Sequence, residues 1–226
     1  MNELHSKPET TDIKNREIEN SREIKLESDM SVKEAQSFIA NLFDVLFDRN
    51  NGYFTSPEAR WGRTPTEERA SWIKERGDSK CIPKTDTDSG ISAKEKLAEY
   101  GLDGIEYKKG EPDFSPCAEV TIKIDGMTEN RDDYRDKDGN LQQGNFSQAD
   151  IKCAEQFNAE QKNGKADWTP RDVKDWRQEN KYSWHECCDT KTMQLVPYEI
   201  HSYFSHSGGV AECKARDNNT GGGFDE

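Results

Sequence analysis

Apolar positions recur every three or four residues from Val32 through Ala35, Ile39 and Leu42 to Leu46, with Phe38, Phe43 and Phe47 widening the stripe. This spacing predicts an amphipathic helix. Ser31 and Glu34 form a capping box at its start, and Asn50, Asn51 and Gly52 end it. So apolar a face requires packing, and its own domain is the preferred partner. Residues 1–29 show no such period and many charges, which predicts a disordered or frayed segment.

Beyond Gly52, Pro57 to Pro65 reads as an irregular connection. A short helix is expected from a Thr66 cap through Arg76, stopped by Gly77, with Trp72 and Ile73 buried. Ser92 with Glu95 opens a further helix that Gly101 terminates. Ala118 to Ile124 alternates, with Val120, Ile122 and Ile124 on one side, as a half-buried strand does. Arg131 to Gln143 is acidic and polar, without the acids of a calcium-binding loop, so a surface hairpin is expected. Ser147 is the expected cap of a helix to about Lys162 that buries Ile151, Ala154 and Phe157.

The C-terminal third is the most explicit. Thr169, Pro170 and Asp172 supply a cap, a first-turn proline and an acid at the third helical position. Val173 and Trp176 face the core, and Arg171, Lys174, Arg177 and Lys181 align on another face. That basic stripe reads either as a phosphate-contacting surface or as a solvated face laced with ion pairs. Tyr182 to Glu186 reads as a strand, Cys187 to Thr190 as a turn and Lys191 to Val196 as a returning strand. Pro197 then opens a short helix that Ser207, Gly208 and Gly209 stop. The fold class is α+β, with a charged tail over 1–30, a helix and connection over 31–65, and a folded domain over 66–226.

Charge changes the picture only in part. The chain carries −13 overall, which argues mildly against nucleic-acid binding, and Lys165 to Glu226 still holds eight basic against eleven acidic residues. No apolar run is long enough for a membrane span, and the charged N-terminal stretch has no signal-peptide core. The six cysteines show no C-x-x-C pair, so reduced thiols are expected, in a protein that works in cytosol. Cys187 and Cys188, beside His185, offer zinc ligands or a plain solvent-facing turn.

Three of the four histidines, His185, His201 and His206, fall within this C-terminal stretch. Such a cluster points to metal or acid–base chemistry. A restriction-type metal site at Asp113 and Lys123 is disfavoured because Thr121 stands where a second carboxylate is needed.

The run Trp184, His185, Glu186, then Asp189, Thr192 to Pro197, His201, His206, Gly208 and Gly209 resembles the WHH-type branch of the HNH/endonuclease VII superfamily. Such domains occur at the C-termini of bacterial polymorphic and contact-dependent toxins. The resemblance covers 182–213 closely. It implies a ββα-metal core with additional helices and a small sheet, holding one divalent ion (Mg²⁺ or Zn²⁺) and hydrolysing DNA, with RNA as a second possible substrate. His201 and His206 match the family's helix ligands. His185 and Glu186 match its doubled hairpin position, where the double-histidine versions have first a ligand and then a base. With Glu186 in second place, either His185 ligates and Glu186 is the base, or His185 is the base and Glu186 supports it or the ion; an imidazole's ordinary pKa favours His185 as base. Trp184 and Thr192 match structural positions, Thr192 standing where an asparagine often braces the hairpin. Further implications are an immunity protein as partner, no membrane association, and delivery into a target cell's cytoplasm. The alternatives are a non-catalytic zinc-stabilised module and a phage or housekeeping nuclease of the same fold.

Overall fold

The computed structural model describes residues 52–220. The expected charged tail and the amphipathic helix beginning at Ser31 lie outside them. The fold is α+β, with helices packed on small antiparallel sheets, compatible with a ββα nuclease core.

The chain enters through a helix, α1 (Pro57–Trp61), where an irregular connection was expected. Ser56 accepts the Ala59 amide at 3.2 Å and Pro57 occupies the first turn, so five residues suffice for a capped turn. The expected Thr66–Arg76 helix is absent. Thr66 O accepts the amides of Arg69 and Ala70, each at 3.0 Å, and the chain then leaves that single turn as strand β1 (Ala70–Trp72). The antiparallel partner β2 (Lys80–Pro83) offers Ala70 and Cys81 full burial, and such pairing outweighs local helical signals. Gly77, with φ +79°, belongs to the turn between these strands, and Ile73 is 60% exposed rather than buried.

Helix α2 (Asp88–Glu99) begins earlier than Ser92, because Thr87 accepts the Gly90 amide and is the actual cap. Strands β3 (Ile105–Lys108) and β4 (Glu111–Pro112) complete a sheet of order β1-β2-β3-β4. Strand β5 (Val120–Lys123) follows the expected alternation, and β6 (Tyr134–Arg135) with β7 (Leu141–Gln142) forms the surface hairpin. Helix α3 (Asn145–Glu160) is preceded by Gly144, not Ser147, as its N-cap. Its first residue, Asn145, is fully buried.

Helix α4 (Pro170–Glu179) carries the expected reciprocal cap between Thr169 and Asp172. Strands β8 (Tyr182–Glu186) and β9 (Thr192–Pro197) form the expected hairpin, and β9 also pairs with β5. Helix α5 (Tyr198–Tyr203) follows. A last helix, α6 (Gly209–Thr220), stands where only a glycine stop was expected.

The sheet β5-β9-β8 divides two cores. Since side chains alternate between faces of a strand, Val120, Ile122, Trp184, Met193 and Leu195 pack beneath α3 and α4 with Phe157 and Val173. Val196 belongs to the other core, with Phe114, Leu97, Ile200 and Phe204. Asp150 of α3 ties the first layer together: it receives Nε and Nη2 of Arg177 at 2.9 and 3.0 Å and Trp184 Nε1 at 2.8 Å.

Candidate metal centre

His185 sits near the end of β8, on the second face, opposite Gln194 of β9. His201 comes from α5 and His206 from the segment that leads into α6. Their ring centroids are 4.6 Å (His185–His206), 5.5 Å (His185–His201) and 5.4 Å (His201–His206) apart. One nitrogen from each ring can be chosen so that all three lie within 4.8 Å of one another. Phe114 packs against each ring, at 4.9 Å from His185 and 5.8 Å from the other two. It walls the cluster with an apolar surface.

The protonation states follow from burial. His185 is 1% exposed, and desolvation, then His206 and His201, drives its pKa well below the ordinary value. His201 is held down to about 3 by burial and then by His206. His206 is lowered by burial, partly offset by its contact with Phe204 O. All three rings are therefore neutral at pH 7. His206 Nδ1 lies 2.7 Å from Phe204 O, so it carries the proton and leaves Nε2 with a free lone pair.

His185 presents an anomaly. Neither of its ring nitrogens has a hydrogen-bond partner among the described residues. An orphaned buried polar group costs about 1–3 kcal/mol. An ion taken up by the three neutral nitrogens would satisfy one of these atoms, and the donor set is one that zinc, nickel and copper accept. The residues fit a divalent ion.

Glu186 does not join this cluster. It points to the opposite face of the sheet, where Asn145 Nδ2 donates to its Oε1 at 2.8 Å. The same Asn145 receives the Thr128 amide at 2.9 Å and donates to Thr128 O at 2.8 Å, so its amide is fully fixed. Burial raises the Glu186 pKa, with Asn145 and Arg131 opposing. The carboxylate lines a surface groove of about 580 Å³ with Asn130, Arg131, Asp132 and Val210.

The remaining expected site residues are dispersed. Arg177 is 7% exposed and committed to Asp150, so its guanidinium faces the interior instead of a basic stripe. A charge of that size enters a core only when paired, and Asp150 is there to pair it. Arg171 is exposed and bonded to Asp175 at 2.8 Å, and Lys181 lies 3.7 Å from Glu199. Lys174 lines a shallow cleft with Asp133 and Ser147. Trp184 is buried on the Asp150 side of the sheet. Thr192 donates to Asp189 at 2.5 Å, while Asp189 also accepts the Lys191 and Thr192 amides, so a carboxylate braces the hairpin turn.

The two glycines after His206 meet the hairpin closely. A Cβ on Gly208 would lie 2.7 Å from Glu186 O, and one on Gly209 2.6 Å from Cys187 O. Their absence of side chains lets the His206 segment and α6 seat against the hairpin. Phe114 and Asn145 carried no local signal of their roles, since each acts on a residue at least 41 positions away.

The family model of the DNase/tRNase domain of colicin-like bacteriocins matches residues 104–208. The stretch contains β3 to α5, all three clustered histidines, Phe114, Asn145 and Glu186. This similarity supports a nuclease toxin role. No curated protein matches the chain.

Proposed function

We propose that this chain is a metal-dependent endonuclease of the HNH, ββα-metal type, the toxic domain of an interbacterial toxin, acting on DNA. The observation that carries the proposal is the convergence of His185, His201 and His206 within 4.8 Å inside the matched region. These three would hold one divalent ion. Such an ion supplies Lewis-acid stabilisation of the charge on the scissile phosphate and the leaving 3′ oxygen. The neutral imidazoles leave its positive charge unspent, as an anionic substrate requires.

The geometry favours His185 as a ligand rather than the base. An imidazole buried without hydrogen bonds, its pKa pushed far down, cannot usefully take a proton near neutral pH. That leaves the base to Glu186, whose carboxyl is raised by burial and oriented by Asn145; its side chain leaves the sheet on the face opposite the histidines, so in this reading it acts around the end of β8, of which it is the last residue. In this reading water loses its proton to Glu186 and attacks phosphorus. The bond to the 3′ oxygen breaks, leaving a 5′ phosphate and a 3′ hydroxyl. Phe114 keeps the His cluster apolar.

An imidazole-only donor set favours a borderline ion such as Zn²⁺ or Ni²⁺ over Mg²⁺. The partner implied is an immunity protein in the producing cell, and the place of action is the cytoplasm of a target cell after delivery. Purified protein should nick supercoiled plasmid with a divalent ion, and His185→Ala should not. Equal cleavage by both sinks the proposal. Parallel incubation with tRNA decides between the two substrates that the family's description allows.

A further inference from the structure

His185 belongs to two clusters, not one. Besides the triad, a nitrogen of His185, a carboxylate oxygen of Glu111 and Sγ of Cys187 lie within 4.8 Å of one another. Glu111 reaches this place from β4. It is held there by the Cys188 amide on Oε1 at 2.7 Å and by the Tyr53 hydroxyl on Oε2 at 2.9 Å. Cys187 is the first residue of the hairpin turn, and of the six cysteines it is the one not fully buried. Both open on a cleft of about 560 Å³ that Asp113 and Gln194 also line. Gln194 is the cross-strand neighbour of His185, which places the cleft on the imidazole's side of the sheet.

We propose that Glu111, His185 and Cys187 form a second cation site, for a thiophilic divalent ion of the zinc class, sharing His185 with the triad. An imidazole has two nitrogens on separate edges of its ring, and both are orphaned in His185. The triad needs only one of them, so a second nitrogen of the same ring remains available to the second cluster.

The donor chemistry separates the two sites. A thiolate and a carboxylate together cancel the charge of a divalent ion, whereas three neutral imidazoles cancel none. An ion at the second site has little charge left for a phosphodiester, so its role is structural or inhibitory. Thiolate selects zinc or copper over magnesium. The ligand atoms lie within 4.8 Å of one another, and rotation of the Glu111 and Cys187 side chains would bring them to zinc–ligand distances of about 2.0–2.3 Å. Burial and nearby carboxylates raise the Cys187 thiol, so binding must expel its proton to solvent. The open cleft leaves the fourth position to water.

The test uses the full chain and cobalt as an optical substitute for zinc. In His201→Ala, which dismantles the triad and spares the second cluster, Co²⁺ should produce a thiolate-to-cobalt charge-transfer band in the near ultraviolet. The band should vanish on adding Cys187→Ser, and weaken on adding Glu111→Gln. A companion measurement needs no variant: Zn²⁺ should slow alkylation of Cys187 in the wild type by roughly tenfold, read by peptide mass spectrometry, while Mg²⁺ should not. A missing band together with unchanged alkylation overturns the proposal, as does a band that survives Cys187→Ser. Loss of the nuclease reading would appear separately, as absence of plasmid nicking while Cys187 remains protected.

Discussion

His185 and Glu186 are adjacent in sequence and face opposite sides of the β5-β9-β8 sheet, His185 toward Phe114 and Glu186 toward Asn145. The pleat of a strand enforces this. The proposed reading gives them separate roles, and a test can tell these apart. Glu186→Gln should lower the cleavage rate by about 10²–10⁴-fold while calorimetric metal affinity stays nearly unchanged. Loss of metal binding in this variant would place Glu186 among the ligands instead.

His185→Ala should act on the ion itself. Saturating the wild type at a hundred times its dissociation constant stabilises the fold by about 2.7 kcal/mol. A urea titration with and without Zn²⁺ should show that gain in the wild type and a much reduced one in His185→Ala. Since both clusters need His185, this variant should lose more of the gain than Cys187→Ser.

Asp150 holds a buried guanidinium and an indole at once. Asp150→Ala leaves the Arg177 charge unpaired in the interior and should cost about 3–5 kcal/mol in a denaturant titration. A double variant, Asp150→Leu with Arg177→Met, should recover most of that loss, because it removes both buried charges.

The histidine cluster also sets a pH dependence for the metal-free protein. His201 titrates at about 3 in the fold and near 6.5 unfolded. Between these values the unfolded chain binds a proton that the native state refuses, so stability falls as the pH drops from about 6.5 toward 3. Urea midpoints at pH 7.5 and pH 5 in the presence of chelator should differ in this direction. The difference should shrink in His201→Gln, and an unchanged slope would remove the histidine from the account.

Much of the site's frame was legible because its signals are local. The alternation leading into Val120–Ile124, the Thr169–Asp172 cap and the proline before Tyr198 each involve residues a few positions apart, and each appears in the structure. The failures share a cause. Thr66 and Gly77 punctuate a helix or a pair of turns equally well, and the choice rests on pairing with β2, which no local pattern encodes. Arg177 falls in register with Lys174 and Lys181, yet its partner Asp150 lies 27 residues away on another helix. Glu111 and Phe114 sit in an unremarkable loop and strand end until the fold sets them against His185.

Glu212 of α6 is fully buried and accepts the amides of Phe54 and Thr55, at 2.5 and 3.0 Å, together with the Thr55 hydroxyl. Tyr53, next to these, holds Glu111. The opening segment is thus anchored by a residue made 157 positions after Thr55. The Glu111 carboxylate can be enclosed by the anchored Tyr53 segment only after the chain through Glu212 has been made.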